Sequence, residues 1–209
     1  MEDGKVVYRK ANLDDVPRIV ELELKAWGEK MFADHDKWNA RINTFPDGLR
    51  VAEKDNEIIG VVCTLVIDWN YPDGYFPTWA EVSGNGYISN HNINGDTLYG
   101  IDLCVLPGSY GVANRLVAFT RNLRIDLGKP SGGLGCRIPS LAAYVEKNEI
   151  PVVTKELVEE LTRIDEHVDF WVKNDFSVVA AKEAYFPEDL GSLGWGIILK
   201  VSGSSEFWK

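Results

Sequence analysis

The chain has 209 residues, 45% hydrophobic and 11% aromatic, enough apolar material for one large α/β domain to bury a sizeable core. Seven Trp, eight Tyr and eight Phe exclude a disordered chain or a coiled coil, because so many rings cannot all stay solvated. Twenty-two basic against thirty-two acidic residues leave a formal charge of −10, so neither nucleic acid nor an anionic membrane is expected as a partner. The same balance favours a cationic amine as ligand.

Cys63, Cys104 and Cys136 are odd in number and lack Cys-x-x-Cys spacing, so disulfides are not expected and a reducing compartment is. The opening MEDGKVVYRKA has no signal-peptide apolar run. The longest apolar stretch, Ile58–Ile67, has ten residues, whereas a membrane span needs about 20. These features predict a soluble, cytoplasmic protein.

Residues 6–10 alternate weakly and predict a first strand. Asn12 then stands where a helix N-cap would, with Asp14 and Asp15 in the first turn and Val16, Ile19, Val20, Leu22 and Trp27 following at helical spacing. A second helix is predicted over 34–44, with Trp38 and Ile42 facing in and Pro46-Asp47-Gly48 ending it. Residues 49–52 and 58–67, split by Asp55-Asn56-Glu57, read as a hairpin. No period holds over 68–96, a long connection carrying Tyr71, Tyr75, Phe76, Trp79 and Tyr87. Loops of that length are usually functional.

Thr97–Val105 alternates as a strand, and Val112, Leu116, Phe119 and Leu123 mark one stripe of a helix over 112–127. A Gly-rich strand is predicted within 131–138, then helices near 139–147, 154–164 and 166–173, and strands over 176–185 and 195–201. The order β-α-α-β-β-loop-β-α-β-α-β-β is mixed α/β. A single sheet with helices on both faces packs it most economically.

The stretch from Tyr99 to Leu116 carries the chemistry. A strand runs into the small-residue turn Pro107-Gly108-Ser109-Tyr110-Gly111, which opens a helix. Backbone N–H groups converge in such a turn, and the helix N-terminus adds positive potential, so a pyrophosphate is its natural ligand. Turns of this kind also occur with no anion bound. No Gly-Lys-Ser/Thr follows, which excludes a Walker loop, and the dinucleotide fingerprint lacks its glycine spacing. No His, Asp and Glu cluster has metal-ligand spacing. Cys104 and Cys136 read as buried small hydrophobes, since no spacing pairs them with His35, His91 or His167 as nucleophiles.

Gly111-Val112-Ala113 followed by Arg115-Leu116, with Val105-Leu106-Pro107 before it, resembles the acetyl-CoA-binding motif of the GCN5-related N-acetyltransferase (GNAT) family. There a strand ending in Val-x-Pro leads to Arg/Gln-x-x-Gly-x-Gly/Ala. Residues 169–178 are similar to that family's Phe-Tyr-x-x-x-Gly-Phe signature. Five further stretches (78–81, 84–87, 94–99, 137–139 and 185–194) resemble the GNAT portion of bacterial proteins that fuse such a domain to a carbon–nitrogen hydrolase. The likeness runs over about 6–201, and amidase or nitrilase activity is not expected because no hydrolase half follows.

The resemblance implies one GNAT-like domain over 1–209, built on a single mixed, mostly antiparallel sheet, with a long inserted loop at 68–96. It implies an N-acetyltransferase that moves an acetyl group from acetyl-CoA, with no metal, to an amine of a small molecule or peptide, and it allows a homodimer. Two central strands would splay apart to hold the cofactor along Leu103, Cys104 and Val105, with its phosphates over Ser109, Tyr110, Gly111, Val112, Ala113, Asn114 and Arg115. Asp102 stands where many relatives carry a Glu that accepts the amine proton. Strand alternation puts Asp102 on one face with Gly100 and Cys104. Two readings of Asp102 stand: general base, or acceptor of hydrogen bonds from a neighbouring loop.

Trp79, Glu81, Tyr87 and His91, with Tyr75, would wall the acceptor pocket; alternatively the loop folds on its own aromatics or covers a dimer interface. Two departures from the family pattern stand out. The turn is about two residues short, with Gly108 in place of Arg or Gln. Trp171 replaces the tyrosine that often serves as general acid, which leaves Tyr110 and Tyr144 as candidates. These departures motivate an alternative, a CoA-binding or regulatory module without transfer chemistry.

Overall fold

The computed structural model describes residues 5–71 and 75–203. Seven strands, β1 (Val7–Lys10), β2 (Leu49–Lys54), β3 (Glu57–Ile67), β4 (Thr97–Val105), β5 (Ser131–Cys136), β6 (Ser177–Lys182) and β7 (Gly196–Ser202), form one sheet in the order β1-β2-β3-β4-β5-β7-β6. Every neighbouring pair is antiparallel except β4–β5. The mixed, mostly antiparallel sheet expected from the sequence is therefore the one observed. The β2–β3 hairpin turns on Asp55 and Asn56, both at positive φ (50° and 67°), as a two-residue hairpin demands.

Helix α1 (Val16–Trp27) follows a capping box made by Asn12 and Asp15, and α2 (His35–Thr44) is capped by Asp34. Both lie on one face, where Ile19, Trp38, Leu49, Leu65 and Cys104 share a core. On the other face α4 (Val112–Asp126) packs Val112 and Leu116 against Ala52, Ile59 and Val62. Helices α5 (Ser140–Lys147), α6 (Lys155–Leu161) and α7 (Glu166–Lys173) cover the β5–β7 half through Leu141, Val158 and Val168. The connection 68–96, of which 72–74 lie outside the described residues, is not irregular throughout. It holds the short α3 (Trp79–Ser83), closed by a Thr78/Glu81 capping box and a left-handed Gly84.

At the outer edge Asp15, 1% exposed, accepts from Arg9 and Arg18 (both 2.6 Å) and from the Asn12 amide (2.9 Å). Burial pushes its carboxyl up, but the bonds from Arg9 and from the Asn12 backbone outweigh burial and hold it below the ordinary 3.8. A depressed folded-state value means that the stabilisation is complete above the unfolded value and lost as pH falls through the folded one. Urea midpoints are thus expected to drop below about pH 4, with a shallower drop in Asp15→Asn.

The seam between β4 and β5 positions the site. Only Thr97–Gly100 pair with Ser131–Leu134; beyond Gly100 the strands part, and β5 continues on β7 alone. The register against β3 slips at the same place, pairing Cys63 with Asp102 but Thr64 with Gly100, so Ile101 is an extra, bulged residue. The glycines of β5 serve this seam: a β-carbon on Gly133 would overlap the Trp69 ring, and one on Gly135 the Tyr185 ring. Tyr185 is fully buried there and shares a 2.7 Å hydrogen bond with the Tyr99 hydroxyl.

Candidate active site

Where β4 and β5 diverge, a cleft of about 630 Å³ opens, walled by Asp102, Leu103 and Val105 of β4 and by Gly135 and Cys136 of β5. On one side it is lined by Ala113, Val117 and Thr120 of α4 with Phe170, Trp171 and Asn174. On the other it is lined by Trp27, Lys30, Phe32, Lys37, Arg41 and Trp79.

The turn before α4 is partly capped. Ser109 N–H donates to Leu106 (3.1 Å), Val112 N–H to Ser109 (3.3 Å), and Arg115 N–H to Gly111 (3.2 Å). The N–H groups of Tyr110, Gly111, Ala113 and Asn114 have no acceptor among the described residues. Gly108 and Gly111 take φ of 86° and 79° with open space where a side chain would stand. Free donors at the start of a 15-residue helix suit an anion.

The side chain of Asp102 is 8% exposed and accepts a 2.9 Å bond from Nη1 of Arg41, itself 1% exposed. Arg41 also donates through Nε to Gly86 O (2.8 Å) and stacks on Trp38. Its Nη2 is buried with no hydrogen-bond partner. Glu23 of α1, wholly buried, accepts from the Ala33 amide at 2.5 Å and lies 4.0 Å from Arg41. Burial, and then the Asp102 carboxylate within hydrogen-bond range, push Glu23 up to about 10, so it carries a proton at neutral pH. One proton held by the two carboxyl groups leaves them balanced by the single guanidinium.

Asp102 therefore binds a helix residue, not a loop. The bulge also changes the expected faces: Ile101 and Cys104 both enter the core beneath α1, with Asp102 turned to α2, whereas Leu103 and Val105 face α4. Alternation holds for Asp102 and Cys104, which share the α1–α2 face opposite Leu103 and Val105; only Gly100 leaves that set, because the extra residue at Ile101 inverts the pleat before it.

Leu103, Val105 and Ala113 line the cleft. Cys104 does not: it is buried with Sγ 4.0 Å from Leu22 O, and burial raises its thiol pKa. Val112 points into the core, and Gly111, Asn114 and Arg115 stay on the surface. Tyr110 is 96% exposed and away from the cleft, and Tyr144 packs on the β5–β7 core, so neither phenol faces the gap. Trp79 does line it, and its indole donates to Ile101 O (3.0 Å), pinning the bulge. Glu81 is spent on its capping box and Tyr75, and Tyr87 lies on the surface. His91 stacks on Phe45 at 4.2 Å and accepts the Val66 amide through Nδ1 (3.0 Å), and burial keeps it below its ordinary pKa. It is a structural histidine.

The sequence reading missed Glu23 and Arg41. Both stand on apolar helix faces, Arg41 between Trp38 and Ile42, and Glu23 after Ile19 and Val20. A charge at a core position of an amphipathic stripe was the available signal. Among the described residues no cluster of His, Cys, Asp or Glu could hold a metal, and no helix is long and apolar enough to cross a membrane.

No family model matches the chain. It is 28% identical to Probable hydrolase YhcX of Bacillus subtilis over 95% of its own length but 39% of that protein's, so it spans well under half of that relative. It is also 28% identical to Uncharacterized N-acetyltransferase YkwB of the same organism, covering 96% of this chain and 92% of that one. Among solved structures, the loading GNATL domain of CurA from Lyngbya majuscula superposes with a TM-score of 0.77 at 19% identity, covering 95% of this chain and 98% of that one. The GphF GNAT-like decarboxylase in complex with isobutyryl-CoA gives 0.75 at 18%, covering 94% and 98%. The fold is that of the GCN5-related N-acetyltransferases, and the chain resembles that family over nearly its whole length.

Proposed function

We propose that the chain is an acyl-CoA-dependent N-acyltransferase that moves an acetyl group from acetyl-CoA to a primary amine by direct attack. One observation carries this reading: the unpaired edge Ile101–Val105 opens beside a turn with free amides. An extended, amide-bearing pantetheine arm matches a strand edge, and paired phosphates match the turn. A main-chain N–H near Leu103–Val105 polarises the thioester carbonyl, Asp102 accepts the amine proton, and the C–N bond forms as the C–S bond breaks. With Tyr110 remote, the phenol on the cleft wall is Tyr185, whose burial keeps it protonated. The name of YkwB and the CoA ligand of GphF support the reading. A cytoplasmic location belongs to it too, supported by three free cysteines.

Calorimetric titration with acetyl-CoA is expected to give a Kd between about 1 μM and 1 mM. Gly111→Val, which strains a φ of 79°, should weaken binding about tenfold. No binding at millimolar concentration overturns the proposal. The grip of Arg41 on Asp102 favours a second reading, a CoA-binding module, whose mark is binding without thiol release from any amine.

A further inference from the structure

The α1–α2 side of the cleft carries a charge pattern opposite to that of the whole chain. Lys30, Lys37, Arg41 and Arg137 line it. Of the facing carboxylates, Asp102 is bound by Arg41, and Asp189 is held bidentately by Arg137 at 2.6 Å through both Nε and Nη2. Glu188 and Glu166, both exposed, are the lining carboxylates without an ion-pair partner among the described residues. Lys30 and Lys37 have no ion-pair partner among them either.

Arg41 adds the sharper observation. Nη2 is a buried donor with nothing to donate to, on a residue lining the cleft. Native proteins rarely leave such a donor orphaned, and an uncompensated guanidinium N–H calls for an anionic acceptor. The neighbouring backbone packs closely against it and leaves no space for a further side-chain carbon. Gly86 takes φ of 85°, and a β-carbon there would press on Trp79 (3.0 Å), Arg41 Nη2 and Lys37 (both 3.4 Å). Beside the donor lies the Asp102 carboxylate, which favours an amine. Donor and carboxylate side by side are complementary to a zwitterion.

We propose that this end of the cleft binds a free α-amino acid, its carboxylate on Arg41 Nη2 and Lys37, its amino group toward Asp102, and its side chain against Trp27 and Phe32. The apolar rings on that wall select an apolar side chain. The inference rests on the acyl-transfer reading above and narrows its acceptor from amines in general to zwitterions. Charge-assisted hydrogen bonds of this kind distinguish ligands by about tenfold or more.

The test compares phenylalanine, phenylalaninamide and phenethylamine as acceptors with acetyl-CoA, alongside titration of each into the protein with CoA present. Phenylalanine should exceed both others by about tenfold or more in kcat/KM, and Lys37→Met should bring the acid-to-amide ratio toward one. Equal turnover of acid and amide overturns the subsite while leaving acyl transfer intact. If no compound is acetylated, carboxylate-dependent binding lost in Lys37→Met still supports the subsite, although the transfer reading falls. A parallel arm with succinyl-CoA locates the carboxylate. Preference for succinyl- over acetyl-CoA, with no distinction between acid and amide, overturns the assignment to the acceptor.

Discussion

Replacing Arg41 by methionine is expected to destabilise the protein by about 3–5 kcal/mol, read from urea midpoints. The guanidinium is 1% exposed and lies 2.9 Å from Asp102, so its removal leaves a carboxylate that is only 8% exposed without its counter-charge. The Gly86 carbonyl loses its donor as well. Against a total stability of about 5–15 kcal/mol, such a loss is severe. Should Arg41→Met fail to fold, Arg41→Lys keeps the charge but loses the planar fork, and a smaller cost is expected.

The partner variants identify the mechanism. Asp102→Asn in the Arg41→Met background should recover much of the loss, because no buried charge is then left uncompensated. Glu23→Gln alone should cost no more than about 1 kcal/mol, since Glu23 already holds its proton and glutamine keeps its shape. A cost below about 1 kcal/mol for Arg41→Met would show that Asp102 does not depend on the pair.

Asp102→Asn should lower kcat about 100-fold or more at neutral pH, the usual contribution of a general base. Asparagine retains an oxygen for Arg41, so the fold and the acetyl-CoA affinity serve as internal controls. Loss of kcat with an unchanged cofactor Kd identifies proton acceptance as the missing step. Unchanged turnover places the base elsewhere. A joint loss of cofactor binding and structure would instead make Asp102 an architectural partner of Arg41.

Hydropathy period exposed nearly every element, because long β-branched runs such as 58–67 and stripes such as Val112–Leu116–Leu123 are local properties. Helix α3 escaped it: five residues are too few to show a period, although Thr78 and Glu81 at capping-box spacing were a readable sign. The bulge at Ile101 left no sign at all, since one inserted residue changes no composition, yet it takes Gly100 off the face that Asp102 shares with Cys104. Asp102 and Trp79 could be found from their places in the chain. Arg41 could not be assigned a task, because its partner lies 61 positions away and only the folded sheet brings them together. His91 and Glu81 misled for the converse reason: their bonding capacity is consumed by Val66 and by Thr78.

The parted strands also have a consequence for the sheet itself. Between Asp102 and Val105 the middle of the sheet offers an interior edge with no neighbouring strand, to which an extended segment can add one more rung. Barrels abolish such edges, and most open sheets restrict them to their rims. Here helices flank the opening on either side, and the chain carries ten surplus negative charges, which oppose the approach of like-charged copies. Any extended occupant of the cleft therefore also covers this edge as a neighbouring strand does elsewhere in the sheet.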